Sequence, residues 1–461
     1  MQKGIFMNKR KFEQYKRIVR FLATSIVIAC VSVIFVCFWK ENYNDGIVFP
    51  FYYKGYWLVG AFYVFFFFIF SYIYGGTSYG YLEGKNIIFS QILALLCTNV
   101  AIYLETVLLS ARFVAILPMI NITGIGIIVI VILSTGFSIL FKKMFPPHKI
   151  LVMYQEYDPT VFLNKIRKRK DRYRIVGSFQ VDAEWDAIAK IIEQNEAVLI
   201  YDVHSELRNK ILKYCYEKEV RVYMTPKISD ILIRSSDNIH LFDTPLLLSR
   251  NSGLTFEQKF MKRALDILLS LLVLIVTSPI MLIIAIAIKL YDGGPVFFKQ
   301  KRCTKDGKIF EIHKFRSMIV DAEKEGISVP ATDKDPRITP VGSIIRATRL
   351  DELPQVFDIL GGNMSIVGPR PERIEHVEKY TEEVPEFQYR LKVKGGLTGY
   401  AQIYGKYNTT PYDKLRLDLM YVQNYSLLLD LKLIFMTLKI IFMKESTEGF
   451  KDSERSSEEQ E

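Results

Sequence analysis

Residues 346–360 read RATRLDELPQVFDIL, with two carboxylates side by side, Asp351 and Glu352. Arg346 and Arg349 precede them, and Pro354 closes the run. Adjacent acids are common in the first turn of a helix, where they meet the positive end of its dipole. Beside a group of bases they can do more. A carboxylate can attack phosphorus as a nucleophile once cations offset its repulsion from a phosphorylated substrate. Two letters do not separate these readings, so the surrounding chain decides.

That chain is basic and dense in glycine and proline. The segments GGPVFFKQKR, KIFEIHKFRSM, DPRITPVGSIIRATRLDELPQ, GGNMSIVGPRPE and GGLTGYAQIYGK follow one another between residues 291 and 406. They supply Lys314, Arg316, Arg346, Arg370 and Lys406, side chains suited to phosphate oxygens. Pro369 and Pro371 fix the backbone on either side of Arg370, so its guanidinium can be presented with little loss of entropy. The formal net charge of +11 over 461 residues calls for an anionic partner. No nucleic-acid-binding motif is present, so a phosphorylated small substrate is expected and nucleic acid is not. The five cysteines form no disulfide framework, and no two of the five histidines stand at metal-ligand spacing.

The elements that must position these residues begin with a membrane unit. Residues 21–39, 57–74, 87–109 and 113–141 are apolar runs long enough to cross a bilayer. Basic residues crowd the N-terminus and follow the fourth run at Lys142 and Lys143, whereas residues 40–56 are poor in bases. The positive-inside rule places both ends of this four-span domain, residues 1–145, in the cytoplasm. Residues 146–250 alternate short apolar strands with helical patterns, which predicts a Rossmann-like parallel α/β domain. The segment after its first strand, QEYDPT, lacks the glycines of a phosphate loop. A fifth apolar run, residues 265–290, is interrupted at Ser278 and Pro279 and has bases at both ends. It fits either a proline-kinked crossing helix or one that enters, bends and leaves on the same side. Residues 255–445 form the expected catalytic domain, mixed α/β in class, and residues 446–461 an acidic tail expected to be disordered.

Residues 265–444 resemble the bacterial sugar transferases, the monotopic polyprenyl-phosphate phosphoglycosyl transferases. KRALD, the SP of the apolar run, GPVFFKQKR, HKFRSM, DPRIT, LDELPQ, NMSIVGPRPE and GLTGYAQIYGK occur in the family's order. The membrane and α/β domains are similar to its long-form members, which initiate capsule, exopolysaccharide or O-antigen synthesis. The resemblance implies transfer of a sugar-1-phosphate from a UDP-sugar to undecaprenyl (polyprenyl) phosphate, with release of UMP. It implies that Asp351 attacks the β-phosphate to form a covalent phosphosugar intermediate. Glu352 supports that step, and Mg2+ bridges phosphate oxygens with Asp351 as a ligand. It makes Lys314, Arg316, Arg346 and the Pro369–Arg370–Pro371 loop substrate-binding, and the helix broken at Ser278 and Pro279 re-entrant. It places the protein in the bacterial inner membrane with the catalytic domain facing the cytoplasm, and it is compatible with a homodimer. Many members have proline at the position of Gly395 and an asparagine-glycine-arginine run where this chain has Tyr404, Gly405 and Lys406. Lysine keeps the charge but not the two-pronged fork, so Lys406 is the weakest carry-over. The sugar is open, with glucose and galactose the leading expectations. The non-enzymatic alternative is a nucleotide-sensing membrane scaffold regulating polysaccharide assembly, which would not need Asp351, Arg370 and the basic cluster together.

Overall fold

The computed structural model describes residues 13–51, 53–249, 253–320, 322, 335–405 and 409–441. Lys406 and the acidic tail lie outside the described residues. The chain divides into two compact units, Met1–Thr225 and Pro226–Glu461.

The first unit starts with four long helices, α1 (Lys16–Asn42), α2 (Tyr56–Tyr74), α3 (Gly84–Ser110) and α4 (Leu117–Met144). Each is long and apolar enough to cross a membrane. Lipid offers no hydrophobic drive for helices to associate, so packing and polar contacts between them must do it. Asn99 joins three helices: it accepts from the Tyr63 hydroxyl at 3.1 Å and donates to Thr123 at 2.7 Å. The Trp39 indole donates to Thr106 at 3.0 Å, and buried Gln91 bonds Tyr79 and Ser134. After α4 the chain forms β1 (His148–Tyr154), α5 (Thr160–Arg167), β2 (Tyr173–Gln180), α6 (Trp185–Glu193), β3 (Ala197–Ile200), α7 (Ser205–Glu217) and β4 (Arg221–Met224). The strands make one wholly parallel sheet in the order β2-β1-β3-β4. The middle strands β1 and β3 carry unbroken buried runs, as a sheet covered on both faces requires. Where a phosphate loop would follow β1, the chain carries Glu156, paired with His204 at 2.8 Å, and Asp158, which accepts from Thr160.

The second unit begins with α8 (Ile228–Arg234) and the hairpin β5 (Asp237–Leu241) and β6 (Thr244–Leu248). A fifth helix of spanning length, α9 (Phe256–Asp292), follows. Then come the antiparallel pair β7 (Phe297–Cys303) and β8 (Ile309–Phe315), α10 (Pro340–Ala347), a single 3-10 turn Leu350–Glu352, α11 (Gln355–Leu360), β9 (Ser365–Val367), α12 (Ile374–Glu383), a second 3-10 segment Pro385–Lys392, β10 (Gly396–Thr398), α13 (Tyr400–Tyr404), α14 (Pro411–Gln423) and α15 (Leu427–Ile441). Strands β9 and β10 pair in parallel.

Helix α9 is continuous, with Pro279 inside it, so the expected break does not interrupt the helical run. The reason is local. Pro279 lacks the N–H that would reach the carbonyl of Ile275, and the Ser278 hydroxyl donates to that oxygen at 3.0 Å. Both halves of α9 are attached to this same unit. In the first half, Lys262 donates to Asp430 at 2.7 Å and to Tyr421 at 3.1 Å. Arg263 donates to the carbonyls of Ile359 and Leu360 at 2.6 and 2.7 Å, closing the C-terminal end of α11. Asp266 accepts from the Ser365 hydroxyl and the Ile366 N–H on β9. The bases expected merely to flank the apolar run are therefore anchors. In the second half, Met281, Ile284 and Ile288 bury against Phe315 and Ile345, and Asp292 pairs with Arg316. Leu268, Ile275, Val276, Leu282 and Ile283 of α9 are exposed.

Candidate active site

The carboxylate pair stands on the turn Leu350–Glu352, between α10 and α11. Arg349 opens the turn with a left-handed backbone, φ 56°. Leu350 and Leu353 on either side pack onto the apolar cluster formed with the second half of α9. This alternation aims the leucines at the membrane helix and leaves the acids for the other side. Helix α10 is started by Thr339, whose hydroxyl accepts from the Gly342 N–H at 2.9 Å, with Pro340 in the first position. Gly342 itself admits no side chain, because a Cβ there would lie 1.9 Å from the Ser317 carbonyl oxygen.

The two acids have opposite surroundings. Glu352 Oε1 accepts from Lys314 Nζ at 2.8 Å and from Arg370 Nη2 at 3.0 Å. Burial by itself would raise its pKa, but Lys314 and Arg370 outweigh that and hold the carboxyl well below the usual range. Asp351 has no cation within ion-pair distance among the described residues. Burial, with the neighbouring Glu352 charge, raises its pKa, and Lys314 and Arg346 from farther off only moderate the rise. One carboxylate is thus held by two cations and its neighbour is left with its charge unquenched, a division seen where adjacent acids take different roles.

Arg370 sits on a loop whose backbone is fixed on both sides. Pro369 accepts from the Gly396 N–H at 2.9 Å, and Gly368 donates to the Thr398 carbonyl at 2.8 Å. Gly368 and Gly396 touch so closely that a Cβ on Gly396 would lie 2.1 Å from the Gly368 nitrogen. Pro371 is buried, and its carbonyl accepts from Arg302 Nη1 at 3.3 Å. Beneath the loop, buried Arg390 donates to Asp418 at 2.8 Å and to the Arg370 carbonyl at 2.9 Å. Glu372 takes Lys414 at 2.8 Å. Burial, with Arg370 and Arg373 nearby, pushes the Arg302 guanidinium down to about 10.

The structure therefore brings together Asp351, Glu352, Lys314, Arg370 and the two prolines. Arg346 lies on the last turn of α10, close enough to act on the charge of Asp351. Arg316 is placed differently. It is buried at 6% exposure and paired with Asp292 at the end of α9. It ties the membrane helix to the end of β8, one residue beyond the strand that carries Lys314. Ser278 and Pro279 lie within α9 rather than at the acids. The sequence reading missed Asp358. This buried acid on α11 accepts from the His313 N–H at 2.9 Å and lies 2.7 Å from His313 Nδ1, joining α11 to β8. It also missed Asp266, Arg390, Asp418 and Asp430. A signal existed for the first: Lys262 and Asp266 stand four apart, on one face of the helix at the entry to the apolar run.

Among the described residues no three His, Cys, Asp or Glu side chains converge as a metal cluster. Mg2+ needs only one or two protein carboxylates when it keeps waters and phosphate oxygens. Asp351, uncommitted to a cation, and Glu352, whose hydrogen bonds to Lys314 and Arg370 both fall on Oε1, fit that donor set.

Residues 257–444 match the bacterial sugar transferase family. The chain is 41% identical over 187 residues to the exopolysaccharide production protein PSS of Rhizobium leguminosarum bv. phaseoli, covering 39% of this chain and 93% of that protein. It is 43% identical over 271 residues to the UDP-glucose:undecaprenyl-phosphate glucose-1-phosphate transferase of Escherichia coli K12, covering 56% of this chain and 58% of the relative. It is 38% identical over 235 residues to the UDP-N-acetylgalactosamine-undecaprenyl-phosphate N-acetylgalactosaminephosphotransferase of Aeromonas hydrophila, covering 50% and 55%. The chain belongs to the bacterial sugar transferase family, and with five helices of spanning length among the described residues it is a multi-pass membrane protein. Its match spans little more than half the length of the longer curated relatives.

Proposed function

We propose that this protein transfers a sugar-1-phosphate from a UDP-sugar to undecaprenyl phosphate at Asp351, as the first membrane step of a polysaccharide pathway. The observation that carries it is the split carboxylate pair: Glu352 bound by Lys314 and Arg370, Asp351 by neither. The names of the relatives support the same donor and acceptor classes.

An oxygen of Asp351 attacks the β-phosphorus of the UDP-sugar. The bond from that phosphorus to the bridging oxygen breaks, and UMP leaves with the bridging oxygen. An oxygen of the lipid phosphate then attacks the same phosphorus and expels the Asp351 carboxylate. Glu352 holds Lys314 and Arg370 in place, and these cations, with Arg346, lower the repulsion between carboxylate and phosphate. Mg2+ held by Asp351 and Glu352 Oε2 would supply charge neutralisation at the phosphate oxygens. The sugar is glucose, galactose or an N-acetylhexosamine, since the relatives are named for glucose, galactose and N-acetylgalactosamine.

Helix α9 is proposed as re-entrant, entering and leaving the cytoplasmic face of the inner membrane. Attachment of both its halves to one unit supports this, because a span would carry the second half to the far side. It would seat Asp351 at the headgroup level, between a water-soluble nucleotide and a lipid phosphate. The test is to incubate membranes with UDP-sugar labelled in the β-phosphate and no lipid acceptor. Label should remain on the wild-type protein and be absent from Asp351→Asn; equal labelling of both would end the assignment. A cysteine placed after Leu290 should label only from the cytoplasmic side.

A further inference from the structure

In the first unit, the end of the helix bundle that leads into the α/β sheet holds a cavity of about 590 Å³. It is formed where α1 and α3 begin and α4 ends, with the loop before α3 and the edge of β4 as walls. Two helices therefore open onto it with the positive ends of their dipoles. Its floor is apolar, with Leu82, Ile87, Phe141 and Phe145. Its rim is cationic, with Lys16, Lys142, Arg172 and Arg221, against two carboxylates, Glu13 and Asp171.

Both carboxylates are already committed. Glu13 is held by Arg221 through both oxygens and lies 2.6 Å from His148. Asp171 is held by Arg169 at 3.0 Å. Among the described residues, no carboxylate lies within ion-pair distance of Lys16, Lys142 or Arg172. The positions of two of these cations are set by other means. The Arg172 guanidinium lies 4.6 Å from the Tyr81 ring, and Arg20 lies 4.4 Å from the same ring, with its Nε donating to the Tyr79 carbonyl at 3.1 Å. Lys16 rests over Phe141 and Phe145 at 5.9 and 5.7 Å. Cations held in place by aromatic rings rather than by acids keep their charge available to a ligand.

We propose that this cavity is an anion site for a phosphate-bearing group, supplied by the headgroup of an anionic lipid. The three unpaired cations meet the phosphate. The apolar floor takes the glycerol and upper acyl carbons, which a free phosphate would leave empty. The site stands at the ends of spanning helices, where basic pockets meet headgroups. It involves none of the residues assigned to phosphoryl transfer, so it stands or falls apart from that reading.

The experiment uses the full chain, purified in neutral detergent and presented with phosphatidylglycerol or phosphatidylcholine, with retained lipid counted by native mass spectrometry. The wild type should retain phosphatidylglycerol in preference to phosphatidylcholine. Lys142→Gln with Arg172→Gln should lower that retention about 30-fold, from two cations near a lipid phosphate. Arg172→Lys should keep most of it, which separates charge from misfolding. Displacement of the lipid by millimolar inorganic phosphate, lost in the double variant, would keep the anion site but make its source soluble. Equal retention of the two lipids, or equal phosphatidylglycerol retention by wild type and double variant, would overturn the proposal.

Discussion

The chain concentrates positive charge in two regions, and they are built on different plans. Around Glu352, Lys314 and Arg370 converge on one carboxylate oxygen, and the adjacent Asp351 is left without a cation. At the end of the helix bundle the reverse holds: the acids are taken, and Lys16, Lys142 and Arg172 are the groups left over. Both regions are proposed to take phosphate, but only the first leaves a spare carboxylate in the field of its cations. Basicity alone therefore separates binding from chemistry poorly. The informative quantity is which member of each ion pair is spare.

The contrast is broken most directly at Asp351. Asp351→Asn should lower transfer at least about 10³-fold in a radiolabel assay, as loss of a nucleophile does. The folded state holds the Asp351 pKa above its ordinary value, so its contribution to stability is lost as pH rises through that raised pKa. The asparagine variant should therefore show an equal or higher Tm at neutral pH. A wild-type rate would remove the distinction between the regions.

Glu352→Gln comes next. It leaves Lys314 and Arg370 without their shared partner, both partly exposed. A loss of about 2 kcal/mol in stability is expected, between the values for exposed and buried pairs, together with a fall in transfer of about 100-fold. Denaturant unfolding beside the transfer assay reads both.

The pH dependence sharpens the comparison further. Glu352 is held below its ordinary value of 4.5, so the stability it contributes is present above that value and is lost as pH falls towards the depressed folded value. Asp351 must be ionised to attack, and its raised pKa puts the acid limb of the rate above the ordinary aspartate value of 3.8. Activity should therefore fail at a higher pH than the fold does. Coincident loss of rate and structure on acidification would contradict the split environments.

The smallest effect belongs to the other region. Lys142→Gln with Arg172→Gln should leave transfer in detergent within about twofold of wild type, since neither residue shares a partner with the groups around Asp351 and sites without shared partners act independently. A loss of turnover comparable to Glu352→Gln would mean that the two regions are coupled.

Much of this was legible in the chain itself. Long apolar runs specify membrane helices because backbone polar groups in lipid must bond within the segment. Strand–helix alternation and the unbroken buried runs of β1 and β3 follow from a parallel sheet covered on both faces. Asp351, Glu352, Lys314 and Arg370 could be named as a set from LDELPQ, HKFRSM and GPRPE. What the sequence could not state was how those charges are paired. Pairing depends on side chains far apart in the chain, as Lys314 reaches across 38 residues to Glu352 and Lys262 across 168 to Asp430. Arg316 illustrates the limit: close in motif to Lys314, it is buried with its Nη2 paired to Asp292 at the end of the membrane helix. Composition and spacing determined which kinds of group are present. Only tertiary packing decided which of them are neutralised by a neighbour, and at short range that difference sets which carboxylate is left without a cation.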